Sequence, residues 1–571
     1  MTMMSASSLE DATAQSKDKL MIYQMLPRVF SNTKTQNIPF GTIEQNGSGK
    51  FNDINQKAIS GIKELGITHV WYTGVIAHAS LTDYSKYGIP TADADVVKGR
   101  AGSPYAIRDY YDVDPDLAVD VKNRMKEFEA LLERTHKNGL KVIIDFVPNH
   151  VARSYKSIAK PAQVIDFGAQ DDKSVAYHPR NDYYYVPGKD FVVPADTNVN
   201  DGLADLKDGR FEESPAKATG NNVFAESPSK NDWYETVKLN YGVDYQNNNQ
   251  THFDPIPPVW TKMRDILVYW SNKGVDGFRC DVAEMVPVEF WSWVIPELKK
   301  VKPSLVFIGE AYDPTAYETY LTKGKFDYLY DKVGLYDGLK RLMRNEPNAK
   351  TADIDHVWRV ESANFGNKML RFLENHDEER IASKAFAGDP MLAIPAMVVS
   401  ATLSGGPVML YSGQELGEKA EGVSGFSGDD GRTTIFDYWG VPALQQWVNN
   451  GKHDGALLSD NQKTLRAFYS KLFQIAGKSD AIINGKHYNI PLENNNRGYA
   501  YFRYTANERL LIVLNFDREQ SLEREITIPA DVLSGAKPGA VVELLNGAEV
   551  QIKDQTIRVK VGPSAAQIIK F

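Results

Sequence analysis

The chain has 571 residues, 42% hydrophobic and 24% charged, which is enough apolar material for a large packed core and excludes wholesale disorder. Its 65 basic and 74 acidic side chains leave a net charge of -9 with no basic run, which argues against nucleic acid as a partner. The single cysteine, Cys280, excludes an intrachain disulfide and a cysteine-based zinc site, and the longest apolar run, Met391–Leu403, is interrupted by Pro395 and Ser400 and falls short of the ~20 residues a membrane helix needs.

Residues 1–19 are polar, lack the apolar core of a secretory signal, and read as a disordered leader. The lone cysteine suits a cytoplasmic or an extracytoplasmic compartment equally, and oligomeric state leaves no mark on the sequence. From Leu20 onward one pattern recurs: an amphipathic helix stops at a glycine and a short apolar strand follows. Ile59, Ile62 and Leu65 precede Gly66 and ITHVWY. Met125, Phe128, Leu131 and Leu132 precede Gly139 and LKVIIDFV. Val259, Met263, Ile266, Leu267 and Trp270 precede Gly274 and VDGFRCDV. Glycine supplies the left-handed residue that ends a helix, and helix–strand alternation implies parallel strands with crossover helices.

Eight strand candidates follow in order: LMIYQML, THVWYTG, KVIIDFV, GFRCDV, SLVFIGEA, FDYLYD, KMLRFLEN and PVMLYSG. Eight such units predict a closed (β/α)₈ TIM barrel. A doubly wound sheet would carry a glycine-rich phosphate turn after its first strand, where this chain has PRVFSN. The barrel is expected over residues 20–150 and 245–480, interrupted once by an inserted domain at 151–244, rich in Asp, Asn, Pro and Tyr and without helical period. Residues 481–571 contain short strands between turns (GYAYFRY, RLLIVLNF, VVELLN, TIRVKV, AAQIIKF) and predict a C-terminal antiparallel β-sandwich domain.

Barrel enzymes carry their chemistry where strands end. Here the third strand closes on DFVPNH, the fourth carries GFRCD, the fifth ends in GEA and the seventh in FLENHD. Arg279 and Asp281 are two apart on one strand and share a face, so a guanidinium neighbours a carboxylate and favours its ionised form. Glu310 and Asp377 join them on the same rim. Neighbouring carboxylates on one rim would raise one another's pKa, because like charges resist joint ionisation.

These motifs resemble the ordered signature regions of glycoside hydrolase family 13, the α-amylase family. TVKLN (236–240) is similar to its fifth region, GGPVMLYSGQE (405–415) to its eighth-strand region, and SPYAIRDY to the segment with a sugar-stacking tyrosine, here Tyr105. The resemblance implies a retaining α-glucan hydrolase acting on starch-derived oligosaccharides, with Asp281 as nucleophile, Glu310 as general acid/base and Asp377 as transition-state stabiliser. It implies Arg279, His150, His376 and Tyr105 as substrate-binding residues and no organic cofactor. An α-glucan transglycosylase or α-glucosidase on the same scaffold is the alternative, and a non-catalytic sugar-binding member a minor one. VKLN is similar to the MPKLN form of neopullulanases and cyclomaltodextrinases, whose usual N-terminal β domain is not expected in this sequence.

The resemblance also implies calcium as a candidate cofactor, with Asn149 as a ligand at the junction of barrel and insertion. Four residues after Asp281, Met285 stands where many amylases have a histidine whose backbone carbonyl binds that ion, and Glu284 replaces an acceptor-site lysine. NGSGK (46–50) resembles the first-loop metal segment of some members, in which several Asp residues bind calcium and which Ser48 and Lys50 interrupt here; a lysine ammonium standing in for a cation and a plain turn are both open readings. Asn46 and Asn249 begin glycosylation sequons by pattern. Cys280 is expected to be a core thiol, and Trp270, Trp291 and Trp293 to pack between helices or to serve as sugar platforms.

Overall fold

The computed structural model describes residues 19–195, 202–533 and 541–571. Eight parallel strands run in order around it: β1 (Met21–Met25), β2 (His69–Tyr72), β3 (Lys141–Phe146), β4 (Gly277–Cys280), β5 (Val306–Gly309), β6 (Tyr328–Tyr330), β7 (Met369–Leu370) and β8 (Val408–Tyr411). Each pairs with its sequence neighbour, β8 pairs with β1, and a parallel bridge between Arg371 and Val408 closes the ring. This is the (β/α)₈ barrel expected from the strand count.

Period-two alternation builds the barrel from inside and outside at once. Ile22, Trp71, Ile143, Ile308, Tyr330, Leu370 and Met409, from seven of the strands, form the inner cluster. Their chain neighbours, among them Tyr23, Val70, Ile144, Phe307 and Leu410, pack outward against the helices. On β4, Phe278 and Cys280 face the helix layer, so Cys280 is a buried core thiol and Arg279 turns inward. The capping glycines Gly66, Gly139 and Gly274 have φ of 89°, 75° and 107°, the left-handed conformation their position demands. Trp270 and Trp291 are core residues whose indole N–H groups bond to the carbonyls of Tyr110 and Ala283, and Trp293 packs on Trp260.

The expected leader lies outside the described residues except for Lys19, which is buried and donates from Nζ to the carbonyls of Ser404 (2.6 Å) and Gly406. Between β2 and the helix Arg124–Lys137 the chain makes a further excursion, with an antiparallel pair of strands, Ile76–His78 and Ile107–Val113. Its polar, glycine-rich stretches carry no helical period, so the sequence pattern leaves it unmarked. The later insertion is mostly turns, tied to the barrel by the pairing of His150–Ala152 with Thr236–Lys238.

Beyond the barrel, β9 (Lys486–Ile490), β10 (Gly498–Tyr504), β11 (Arg509–Asn515), β12 (Leu522–Thr527), β13 (Val542–Glu543), β14 (Ile552–Lys553), β15 (Thr556–Val561) and β16 (Ala565–Lys570) form two antiparallel sheets. The orders are 9-10-11-16-13 and 12-15-14. The larger sheet is apolar on both faces. Tyr501, Leu510, Ile512, Leu514 and Ile568 join the barrel's core, with a hydroxyl–hydroxyl bond of 2.5 Å between Tyr501 and Thr402. Phe502, Leu511, Val513 and Ile569 instead cover Leu522, Ile526, Ile557 and Val559 of the smaller sheet.

Because Ile512 is fully buried against the barrel, Ile512→Ala is expected to cost about 2–5 kcal/mol in urea unfolding, whereas Arg524→Ala on the exposed face of β12 stays within about 0.5 kcal/mol. A loss under about 1 kcal/mol for Ile512→Ala would mean that the sheet is not an integral part of the core.

Candidate active site

Strand register places the two central acids. Cys280 of β4 is paired with Gly309 of β5, and the ladder continues one residue further: the amide of Asp281 donates to Phe146 O (2.9 Å) and that of Glu310 to Cys280 O (3.0 Å). Asp281 and Glu310 therefore leave adjacent strands at the same level, at about the 4.8 Å interstrand spacing.

Arg279 reaches up between them from the barrel interior. Its guanidinium is 1% exposed. Nη1 lies 2.6 Å from Asp281 Oδ1 and 3.4 Å from Asp145 Oδ1, Nη2 lies 2.7 Å from Glu310 Oε1, and Nε donates to the Tyr330 hydroxyl at 3.1 Å. The rings of Trp71, Tyr105 and Tyr330 surround it with centroids 5.3, 5.5 and 5.6 Å from Cζ. One cation thus serves three carboxylates inside an aromatic collar. Burial pushes the Asp281 carboxyl well up, Arg279 pulls it back, and Glu310 adds to the upward push, so the guanidinium is what favours the ionised form. Burial raises Asp145 to about 6 against Arg279 and hydrogen bonds from Trp71, Gly74 and Tyr105.

Glu310 is held on three sides. Besides Arg279, its Oε1 accepts from the Tyr312 hydroxyl (2.8 Å) and its Oε2 from the backbone N–H of Val282 (2.7 Å). Val282 has φ 36° and ψ 49°, a strained left-handed conformation for a β-branched residue. That conformation directs the amide following Asp281 at Glu310.

The remaining residues close the rim. The side-chain amide of Gln24 donates to His376 Nδ1 (2.8 Å), which assigns the ring proton to Nε2. Nε2 faces the Tyr105 hydroxyl at 2.6 Å and Asp377 Oδ2 at 3.1 Å. The Tyr105 hydroxyl in turn donates to Asp145 (3.2 Å), and its ring stacks on His376. Burial lowers both His150 and His376 to about 3, so both are neutral at ordinary pH and able to donate and accept hydrogen bonds.

A cavity of about 300 Å³ brings Tyr105, His150, Asp281, Glu310 and Asp377 together, with Trp233, Tyr312 and Phe436 among its walls. Arg279 and His376 support it from behind. Sequence reasoning missed Asp145, Tyr312 and Trp233. Asp145 had a signal, a charged residue on the inward face of an otherwise apolar strand. Trp233 and Tyr312 had none, because their placement depends on how the insertion and the fifth-strand loop fold over the rim.

Asn149 is buried outside this cavity. Its Nδ2 donates to Gly220 O (2.8 Å), and its Oδ1 accepts from Lys238 Nζ, which also reaches Met285 O at 3.3 Å. In the first loop Lys50 Nζ donates to Asp116 O at 2.6 Å. Among the described residues no group of three or more His, Cys, Asp or Glu side chains is arranged to hold a metal ion. Glu284, at the position of the missing lysine, accepts from the amide of Asp313 (3.1 Å).

Comparison with known proteins agrees with this picture. The family model described as the α-amylase catalytic domain matches residues 24–434. α-Amylase 3 of Dictyoglomus thermophilum is 24% identical over 441 residues, covering 72% of this chain and 74% of its own. Neopullulanase 2 of Thermoactinomyces vulgaris is 20% identical over 560 residues, covering 96% and 77%. The crystal structure of a noncanonic maltogenic α-amylase from Thermotoga neapolitana shares the fold with a TM-score of 0.59 at 22% identity, over 97% of this chain and 98% of that one.

The depressed histidines make a pH prediction. An unfolded histidine titrates near 6.5 whereas His376 in the fold titrates near 3, so its contribution to stability is complete above 6.5 and is lost as pH falls through that window. The stability deficit of His376→Gln relative to wild type is expected to shrink on acidification from pH 6 to 4 by about 1.4 kcal/mol per pH unit. A deficit independent of pH in urea titrations would show that His376 is protonated in the fold.

Proposed function

The chain belongs to the α-amylase catalytic-domain family of glycoside hydrolases, and from that premise we propose that it is a retaining hydrolase cleaving α-1,4-glucosidic bonds of starch-derived oligosaccharides. The observation that carries this reading is the pair Asp281 and Glu310, set side by side by strand register and held on two nitrogens of one buried guanidinium. Retention requires carboxyls roughly 5–5.5 Å apart, close to the interstrand spacing, whereas inversion requires room for a water between them.

In this mechanism Asp281, ionised beside Arg279, attacks the anomeric carbon. Glu310 in its acid form gives its proton to the departing glycosidic oxygen. The glycosyl ester on Asp281 is then hydrolysed by a water whose proton returns to Glu310. In this reading Asp377, half-exposed on the cavity wall, and the neutral imidazole of His150 bond sugar hydroxyls, while His376 holds Tyr105 and Asp377 from behind. Tyr105 and Trp233 offer aromatic faces for a ring. The names of the relatives, an amylase, a neopullulanase and a maltogenic amylase, support an α-glucan substrate.

Glu310→Gln and Asp281→Asn are each expected to lower kcat on maltoheptaose by about 10²–10⁴-fold or more with circular dichroism unchanged. Proton NMR of the wild-type reaction is expected to show the α-anomer released first. Initial release of the β-anomer, or near-wild-type turnover in either variant, rejects the assignment. Products longer than the substrate at high concentration would mark transfer to sugar in place of water.

A further inference from the structure

The family resemblance places a calcium ion between barrel and insertion, with oxygens from Asn149 and the Met285 backbone. These oxygens do face a common point, and that point is filled from within the chain. Lys238, 1% exposed, projects its ammonium between them, donating to Asn149 Oδ1 and to Met285 O. The ring of Tyr245 lies 5.4 Å from Nζ and covers another side.

The donor set is wrong for a divalent ion. Calcium takes six to eight oxygens, several of them carboxylate. Here two neutral oxygens converge, and among the described residues no carboxylate lies within ion-pair distance of Lys238. The amide of Asn149 is oriented for this contact, because its Nδ2 is spent on Gly220 O and only Oδ1 is left to face the ammonium.

We propose that the Lys238 ammonium occupies the place of the divalent cation and ties the insertion to the barrel, so that this junction needs no metal. The three anchored segments are distinct: Asn149 follows β3, Met285 follows β4 four residues beyond Asp281, and Lys238 lies on the strand Thr236–Lys238 of the insertion. In that pairing Lys238 stands directly opposite His150. The strand ends two residues beyond Thr236, which lines the cavity together with Trp233. A strut at Lys238 thus sets the insertion's wall against the catalytic rim. The inference is independent of which glucan is cut.

The test is limited proteolysis within residues 151–244, with calorimetric Tm, on the full chain at pH 6 in excess EDTA and in millimolar calcium chloride. Wild type is expected to be cleaved at the same rate in both. Lys238→Met, which keeps the stem and removes the charge, is expected to be cleaved about tenfold faster in both, since two buried oxygens lose their donor. Lys238→Asp, which restores a carboxylate to the cage, is expected to be protected by calcium where wild type is indifferent. Slower cleavage of wild-type protein in calcium than in EDTA overturns the proposal, as does a Lys238→Asp variant indifferent to calcium or a Lys238→Met variant as resistant as wild type.

Discussion

A fully buried arginine sits at the centre of this barrel, and the arrangement of the site follows from what that charge requires. Taking a guanidinium out of water costs several kcal/mol unless its donors are satisfied and its charge is balanced. Arg279 balances its charge against Asp281, Glu310 and Asp145 and donates hydrogen bonds to Asp281 and the Tyr330 hydroxyl, inside a collar of aromatic faces. The dependence is mutual. Without the cation, three carboxylates would share one dry space, and the two at the rim would drive each other toward the neutral form. Into the largely apolar inner layer of the barrel β4 brings Arg279 beside Asp145 of β3, and the strand ends above them carry Asp281 and Glu310.

Around this core the rim is built from neutral donors and constrained backbone. Two buried histidines stay uncharged, so they add hydrogen-bonding capacity without further charge. The strained turn at Val282 costs conformational energy and delivers an amide to Glu310. The insertion adds Trp233 and Thr236 to the cleft wall and is tied to the barrel through Lys238. Rigid strands thus position the paired acids, while the longer connections above them shape what they meet.

Much of this was legible in the sequence, and the reasons for success and failure are physical. Glycine-capped amphipathic helices followed by apolar strands repeat strongly enough to be counted, and all eight strand candidates fall on barrel strands. The C-terminal strands with strong apolar content are legible, but β9, β12 and β14 are not; in β12, Glu523, Arg524 and Glu525 make a surface strand look like a loop. The excursion after β2 escaped notice because an irregular segment has no period. Asp145 was legible as a charge on an inward face; its partnership with Arg279 was not, since the two lie 134 residues apart.

By itself, the order of residues determined the barrel, the inward turn of Arg279 and the same-face pairing of Arg279 with Asp281, because side-chain alternation along a strand is a local property of the backbone. Only the tertiary structure decided which carboxylates share that cation, which imidazole is held by Gln24, which aromatic walls close the cleft, and that an ammonium sits between Asn149 and Met285. Those outcomes depend on interstrand register and on segments meeting across tens to hundreds of residues. A chain read in one dimension specifies the chemistry of each group and leaves its neighbours to the fold.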